Sequence, residues 1–78
     1  MSNETVIKFF QNRPFIPFAM ITVDGRQFTI HHPEQAMFGI RGETVLFIHP
    51  DLRLEVIDSR LILSLVTLSA ADFYTFGE

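Results

Sequence analysis

An Asp24-Gly25 pair between two apolar runs constrains the fold of this chain more than any other sequence feature. Glycine accepts the positive φ angle that a tight β-turn requires, so an Asp-Gly step flanked by apolar residues is typical of a β-hairpin. Two Pro-Phe steps, beginning at Pro14 and Pro17, precede this turn and favour an extended backbone. The sequence therefore predicts an antiparallel β architecture whose first strand starts near Phe18.

A short amphipathic helix is predicted ahead of the hairpin. Ser2 or Asn3 can cap it, because a side-chain oxygen at this position accepts a hydrogen bond from an orphan backbone N–H. A helix from Glu4 to Gln11 places three apolar side chains on one face: Val6, Phe9 and Phe10. A helix this short is unstable alone, so we expect the amino-terminal segment, residues 1–12, to pack on the sheet.

Turn residues divide the remainder of the chain into short apolar runs. The predicted strands cover residues 18–23, 26–31, 35–40, 44–49, 53–57 and 61–68. Five or six short strands joined by tight turns are typical of a small all-β domain. Our preferred arrangement is a single domain in which residues 17–68 form a five-stranded, strongly bent antiparallel meander or barrel, Sm-like in outline and preceded by the helix.

Two of these strands are apolar on both faces, Val45–Ile48 and Leu61–Val66. A sheet with one wet face does not require this pattern. A 78-residue chain also buries only about 60% of its unfolded surface. We therefore expect a homo-oligomer, and the sequence assigns to its interface these residues: Val45, Phe47, Ile62, Val66, Phe73, Tyr74 and Phe76.

The last three residues of this list, Phe73, Tyr74 and Phe76, are aromatic and belong to a carboxy-terminal tail, residues 69–78. Chain ends are usually polar and frayed, and three exposed rings would reduce solubility. The tail is therefore expected to dock, either on its own barrel or across a subunit interface.

Composition excludes several classes of function. The chain has no cysteine, which removes disulfides and thiolate metal sites. No run approaches the roughly 20 apolar residues of a membrane-spanning helix, and we expect a soluble, cytoplasmic protein without a cofactor. The net charge is −3 and positive residues are scattered, whereas nucleic-acid binding without sequence specificity needs clustered positive charge.

The sequence does not favour metal binding or catalysis. His31, His32 and Glu34, with His49 as a fourth member, form the best cluster of candidate metal ligands. Adjacent residues on a strand point to opposite faces, so the first two histidines cannot reach one ion unless the strand ends between them. No glycine-flanked nucleophile or glycine-rich phosphate loop is present, and we expect no enzymatic activity.

Three short motifs lie close together near the start of the predicted β domain: Arg13-Pro-Phe-Ile-Pro-Phe18, Asp24-Gly-Arg26 and His32-Pro-Glu34. With these motifs the chain resembles a group of short uncharacterised bacterial proteins that share an RPF-x-PF, DGR and HPE pattern. This resemblance spans residues 13–34 and implies kinship without an activity.

The order of predicted elements also resembles that of the Sm-like proteins, the fold family of the bacterial RNA chaperone Hfq. Ile21–Arg26 is similar to their first hairpin, and Val56–Leu63 to the corner before their last strand. The resemblance implies a small barrel, and a ring formed by strand pairing at the barrel edges. Asp58-Ser59 stands where Hfq has a Lys-His pair, so the RNA-binding residues of that family do not carry over.

We therefore expect a non-enzymatic binding or assembly module that forms a homo-oligomer. The alternative is an Sm-like RNA-binding protein, which would need several arginines on one rim of the assembly; Arg26, Arg41 and Arg60 are the candidates. A third hypothesis is a small-ligand sensor with a pocket beneath the helix. The sequence predicts further copies of the same chain as partners, no association with a membrane, and leaves any other protein partner unidentified.

Overall fold

The computed structural model describes residues 2–39, 41 and 43–68. It contains a helix and six strands: α1 Asn3–Gln11, β1 Phe18–Thr22, β2 Gln27–Ile30, β3 Ala36–Phe38, β4 Thr44–Ile48, β5 Leu54–Asp58 and β6 Ile62–Thr67. Two one-turn 3-10 helices complete the described elements, Pro33–Gln35 between β2 and β3 and Ser59–Leu61 between β5 and β6.

The strands form two three-stranded antiparallel sheets. The first sheet has the order β2-β1-β6, and the second sheet has the order β3-β4-β5. The predicted class, mostly β with one amino-terminal helix, is confirmed, but the described strands form two sheets that do not close into a barrel, and they number six rather than five. The Pro33–Gln35 turn separates β2 from β3 and the Ser59–Leu61 corner separates β5 from β6, so at both places the chain changes sheet.

The hydrophobic core lies between the inner faces of the two sheets and the helix. Phe18 is fully buried near its centre, and its ring centroid lies 5.3 Å from those of both Phe9 and Phe10 on α1. Burying one such large side chain contributes about 1.5–3 kcal/mol. The buried cluster comprises Val6, Phe10, Phe18, Met20, Phe28, Ile30, Ala36, Val45, Phe47, Ile57 and Ile62.

The helix forms as predicted, with Ser2 as its cap. The Ser2 side chain accepts a hydrogen bond from the Thr5 N–H at 3.3 Å. At the far end, Arg13 Nη1 donates to the Phe10 carbonyl at 3.0 Å. Asn3 Oδ1 accepts a hydrogen bond of 2.7 Å from the buried Ser59 hydroxyl, which fixes the helix to the corner before β6.

The Asp24-Gly25 turn also forms as predicted. Gly25 has a φ of 85°, and its N–H donates to the Thr22 carbonyl at 2.9 Å. The Thr22 hydroxyl donates to the Asp24 carboxylate, and this hydrogen bond lowers the Asp24 pKa below its usual value. The turn therefore combines a left-handed glycine with an anchored aspartate between β1 and β2.

Candidate interaction surface

The second sheet presents large aliphatic side chains to solvent. In the strand register Met37 pairs with Leu46, and Leu46 pairs with Val56. Met37 is 57% exposed and Val56 is 67% exposed, although Ala36 and Ile57, which adjoin them along the strands, are buried in the core. We name this surface the apolar outer face; its members are Met37, Leu46, Ile48, Leu54 and Val56.

The free edge of β5 borders this face. Hydrogen bonds from the His49 N–H to the Arg53 carbonyl and from the Ser59 N–H to the Glu43 carbonyl mark the two ends of the β4-β5 ladder. Because paired and unpaired positions alternate in an antiparallel ladder, the backbone N–H and C=O groups of Leu54, Val56 and Asp58 point away from β4.

The free edge of β6 lies on the other sheet. The Leu68 N–H donates to the Pro17 carbonyl, and the same alternation directs the backbone groups of Leu65 and Thr67 away from β1. Ile62 and Ser64 pair with consecutive residues of β1, so Leu63 is the extra residue of a β-bulge and its side chain is 64% exposed.

Of the predicted interface residues, three lie in the core. Val45, Phe47 and Ile62 are between 0% and 6% exposed, so they cannot contact another subunit unless the core opens. Val66 is 48% exposed and is available for contact. The interface was therefore assigned to the inward face of β4, whereas the outward face is that of Leu46, which is half-buried. The remaining predicted positions, Phe73, Tyr74 and Phe76, lie outside the described residues.

A cluster of three polar side chains joins the two sheets. Arg26, just before β2, makes two hydrogen bonds to the Glu55 carboxylate on β5, at 2.5 and 2.7 Å. His49 Nε2 lies 2.8 Å from the same carboxylate, and the Arg26 guanidinium lies 4.7 Å from the ring centroid of Phe28. Arg26 and then His49 lower the Glu55 pKa to about 2. The Arg26–Glu55–His49 cluster is therefore an ionic clamp between the sheets.

The other candidate RNA-binding arginines also face carboxylates. Arg60 Nη2 lies 2.6 Å from Asp58, and it lowers the pKa of that carboxyl to about 2. Arg41 Nε lies 3.9 Å from Glu43, and both of these side chains are largely exposed. All three candidate arginines therefore lie near a carboxylate, which offsets their positive charge locally.

His31 and His49 line one open cavity of about 350 Å³, together with Gln35. The backbone N–H groups of His31 and His32 donate to Gln35 Oε1 at 2.6 and 2.9 Å, which stabilises the one-turn helix at Pro33. His49 belongs to the ionic clamp. Within residues 2–39, 41 and 43–68, no group of three or more His, Cys, Asp or Glu side chains is arranged to hold a metal ion.

An open cleft of about 280 Å³ lies between the β1-β2 turn and β5. Its walls include Val23, Arg26, Phe28, Glu55 and Val56. It is therefore located beside the ionic clamp and the free edge of β5, and it is a different place from the pocket beneath the helix that the sensor hypothesis requires.

No family model, curated protein or solved structure matches this chain. No helix among the described residues has the length and apolar character needed to cross a membrane. Its functional assignment therefore depends on the chemistry of its own surfaces.

Proposed function

We propose that this protein is a non-enzymatic assembly module that forms a homo-oligomer by pairing the free edge of β5 in one copy with the free edge of β6 in the next. Each sheet has two edge strands among the described residues, and the observation that supports the proposal is the distribution of exposed large apolar side chains over them. Two lie on β5 and two on β6, against one on β3 and none on β2. A row of unpaired backbone groups is a template for pairing with another chain.

Beyond the bulge at Leu63, the β6 edge lacks the charged and proline residues that often prevent such pairing. Natural edge strands are protected by lysine, proline or inward-pointing charges. The sequence of β6, Ile-Leu-Ser-Leu-Val-Thr, contains no charged residue and no proline. Leu63 and Val66 on this strand are 64% and 48% exposed, so apolar contacts would accompany backbone pairing.

The pairing is directional. The β5 edge and the β6 edge are different surfaces, so each copy uses one edge for each of two neighbours. Such a head-to-tail interface produces a closed ring if the rotation between copies closes, and a filament if it does not. A ring is what the Sm-like resemblance implies, and the one-turn corner before β6 supports that comparison.

The proposal can be tested by blocking one edge. Thr67 lies in a position whose N–H points away from β1, so Thr67→Pro removes an edge donor without breaking a hydrogen bond to β1. We expect multi-angle light scattering at micromolar concentration to give a multiple of 9.0 kDa for the wild type and a shift toward 9.0 kDa for Thr67→Pro.

Thr67→Val is the matched control, because it changes the side chain and keeps the N–H. It should leave the mass unchanged. A wild-type mass of 9.0 kDa would contradict assembly. Equal masses for the proline and valine variants would show that assembly uses a different surface.

Sm-like RNA binding is the alternative function. The three candidate arginines are each paired with a carboxylate and the chain carries a net charge of −3, which favours assembly over RNA binding. A titration of the oligomer with single-stranded RNA separates the two functions. Binding that weakens steeply as salt rises would support a basic rim, whereas our proposal predicts no such binding.

A further inference from the structure

We propose that the aromatic tail, residues 69–78, docks on the apolar outer face of the neighbouring copy. This inference rests on the edge pairing proposed above and adds to it a second contact between the same two subunits. The proposal combines three observations: the composition of the face, the place where the tail begins and the geometry of a turn at the rim of the face.

The apolar outer face needs a cover. Met37, Leu46 and Val56 form a continuous row across the three strands of the second sheet, and Leu54 lies beside Ile48 in the next row. Large contiguous apolar patches are uncommon on soluble monomers and mark interaction sites. Neither the helix nor the first sheet covers this row, because both pack against the opposite face of the second sheet, which is the side of Val45, Phe47 and Ile57.

Edge pairing brings the start of the tail close to the outer face of the neighbouring copy. Strand β6 ends at Thr67 in the first sheet, and the core separates that sheet from the outer face of the second. When β6 pairs antiparallel with β5 of a neighbour, its carboxy-terminal end lies beside the amino-terminal end of β5, at Leu54. The ten residues of the tail, which can span about 33 Å when extended, then start at the rim of the neighbour's face.

The chemistry of the two surfaces is complementary. The tail carries Phe73, Tyr74 and Phe76 within four positions, and the face offers aliphatic side chains. Aromatic rings bury a large apolar area each, and the Tyr hydroxyl can remain in water at the edge of the contact. Pairing aromatic with aliphatic surface removes both from solvent in one step.

A strained turn extends the face at its rim. Leu52 has a φ of 70° and is 79% exposed, although leucine rarely adopts the left-handed region. Its N–H donates to the His49 carbonyl at 2.8 Å, and Arg53 Nε donates to Asp51 at 2.7 Å, so the turn holds this conformation. Backbone strain that a structure maintains is concentrated at binding sites. Leu52 lies two residues before Leu54, so this exposed apolar side chain is close to the end of β5 at which the tail arrives.

A single intrinsic probe reports on the tail. Tyr74 is the only tyrosine and the chain has no tryptophan, so tyrosine fluorescence arises from the tail alone. We expect acrylamide to quench Tyr74 several-fold more slowly in the wild-type oligomer than in a synthetic peptide of residues 69–78. Light scattering on the same samples gives the oligomer mass.

Met37→Glu tests the location of the contact. Met37 lies on β3, which is separated from the pairing edge of β5 by the whole of β4, so the substitution changes the face and leaves the edge intact. We expect quenching in this variant to approach that of the free peptide at an unchanged oligomer mass. Gln27→Glu, an exposed position on the first sheet, is the charge-matched control and should behave as the wild type. If Met37→Glu does not fold, Met37→Thr replaces it in the same test, because threonine favours strands and still removes the large apolar side chain.

Each contrary result has a distinct meaning. If Tyr74 in the wild-type oligomer is quenched as fast as in the peptide, the tail does not dock, and edge pairing is unaffected by that result. If a folded Met37 variant shows the same quenching as the wild type, the tail does not dock on the apolar outer face, and edge pairing again stands. A 9.0 kDa monomer with a protected Tyr74 would place the tail on its own chain. That result would overturn this inference together with the proposed assembly.

Discussion

The outer faces of the two sheets differ, although the sheets are alike in strand number and share one core. On the first sheet Ala19 pairs with Thr29, and Ile21 pairs with both Gln27 and Ser64, so small and polar residues are mixed with apolar ones. The second sheet presents five aliphatic side chains in two adjacent rows, and a charged residue, Asp58, comes only in the next row, opposite Thr44. The comparison shows that one sheet of this domain can face water, whereas the other is suited to a partner surface.

Strand β5 contains both behaviours within five residues. Ile57 points into the core and is 5% exposed, and Glu55 holds the ionic clamp. Leu54 and Val56, on the opposite side of the same strand, are 64% and 67% exposed. Stability and interaction are therefore assigned to alternate residues, and substitutions at neighbouring positions should separate them.

The largest expected effect is at the inward side of β5. Ile57→Ala should lower the free energy of unfolding by about 2–5 kcal/mol, because it removes buried methyl groups and leaves a cavity. Val56→Ala should change it by less than about 0.5 kcal/mol, since exposed positions away from special features tolerate substitution. Urea melts in the Thr67→Pro background, where assembly is blocked, measure both values. Equal losses would contradict the division of β5 into two functional sides.

The next largest effect is in the first sheet, at its hairpin. Gly25→Val should cost about 1–3 kcal/mol in urea melts, because Gly25 has a φ of 85° and β-branched residues avoid that region. A Cβ atom at this position meets nothing within 4 Å, so the cost is a backbone effect and not a clash. Gly25→Asn should cost less, since asparagine tolerates positive φ. A valine variant as stable as the asparagine variant would contradict this explanation.

Removal of the tail should have a smaller effect that depends on the second sheet. Deleting residues 71–78 should lower the melting temperature by a few degrees, because the apolar outer face loses its cover, while edge pairing keeps the number of subunits unchanged. In a Met37→Glu background the same deletion should lower the melting temperature no further. If the deletion alone leaves the melting temperature unchanged, the tail has no docking role.

The smallest effect concerns the clamp between the sheets and appears only in acid. Glu55 has a pKa of about 2 in the folded chain and 4.5 as its ordinary value, so its contribution to stability is complete above pH 4.5 and decreases as the pH falls toward 2. Glu55→Gln should therefore flatten the dependence of the urea midpoint on pH in this window. Asp58 has the same direction of shift, so Asp58→Asn serves as a comparison outside the clamp.

Local sequence chemistry was sufficient to predict the elements but not their pairing. The Ser2 cap, the Asp24-Gly25 turn and the corner after Asp58 depend on neighbouring residues, and the structure confirms each of them. The predicted strand boundaries differ from the observed ones by one or two residues. The closed barrel was wrong because the change of sheet at Pro33 depends on how distant strands pack.

The candidate surface was partly predictable. Alternation in β4 showed that both faces are apolar, yet it could not decide which face is inward. That choice depends on Phe28, whose ring centroid lies 5.2 Å from that of Phe47. The clamp was not predictable, because Arg26 and Glu55 are 29 residues apart and meet only when the two sheets come together.

Assembly through strand edges is tested most directly by the mass of the wild-type protein in solution. Multi-angle light scattering over a range of micromolar concentrations should give a multiple of 9.0 kDa that persists on dilution, and the Thr67→Pro variant should give smaller species in parallel. A single species of 9.0 kDa for the wild type at every concentration would contradict the proposed function.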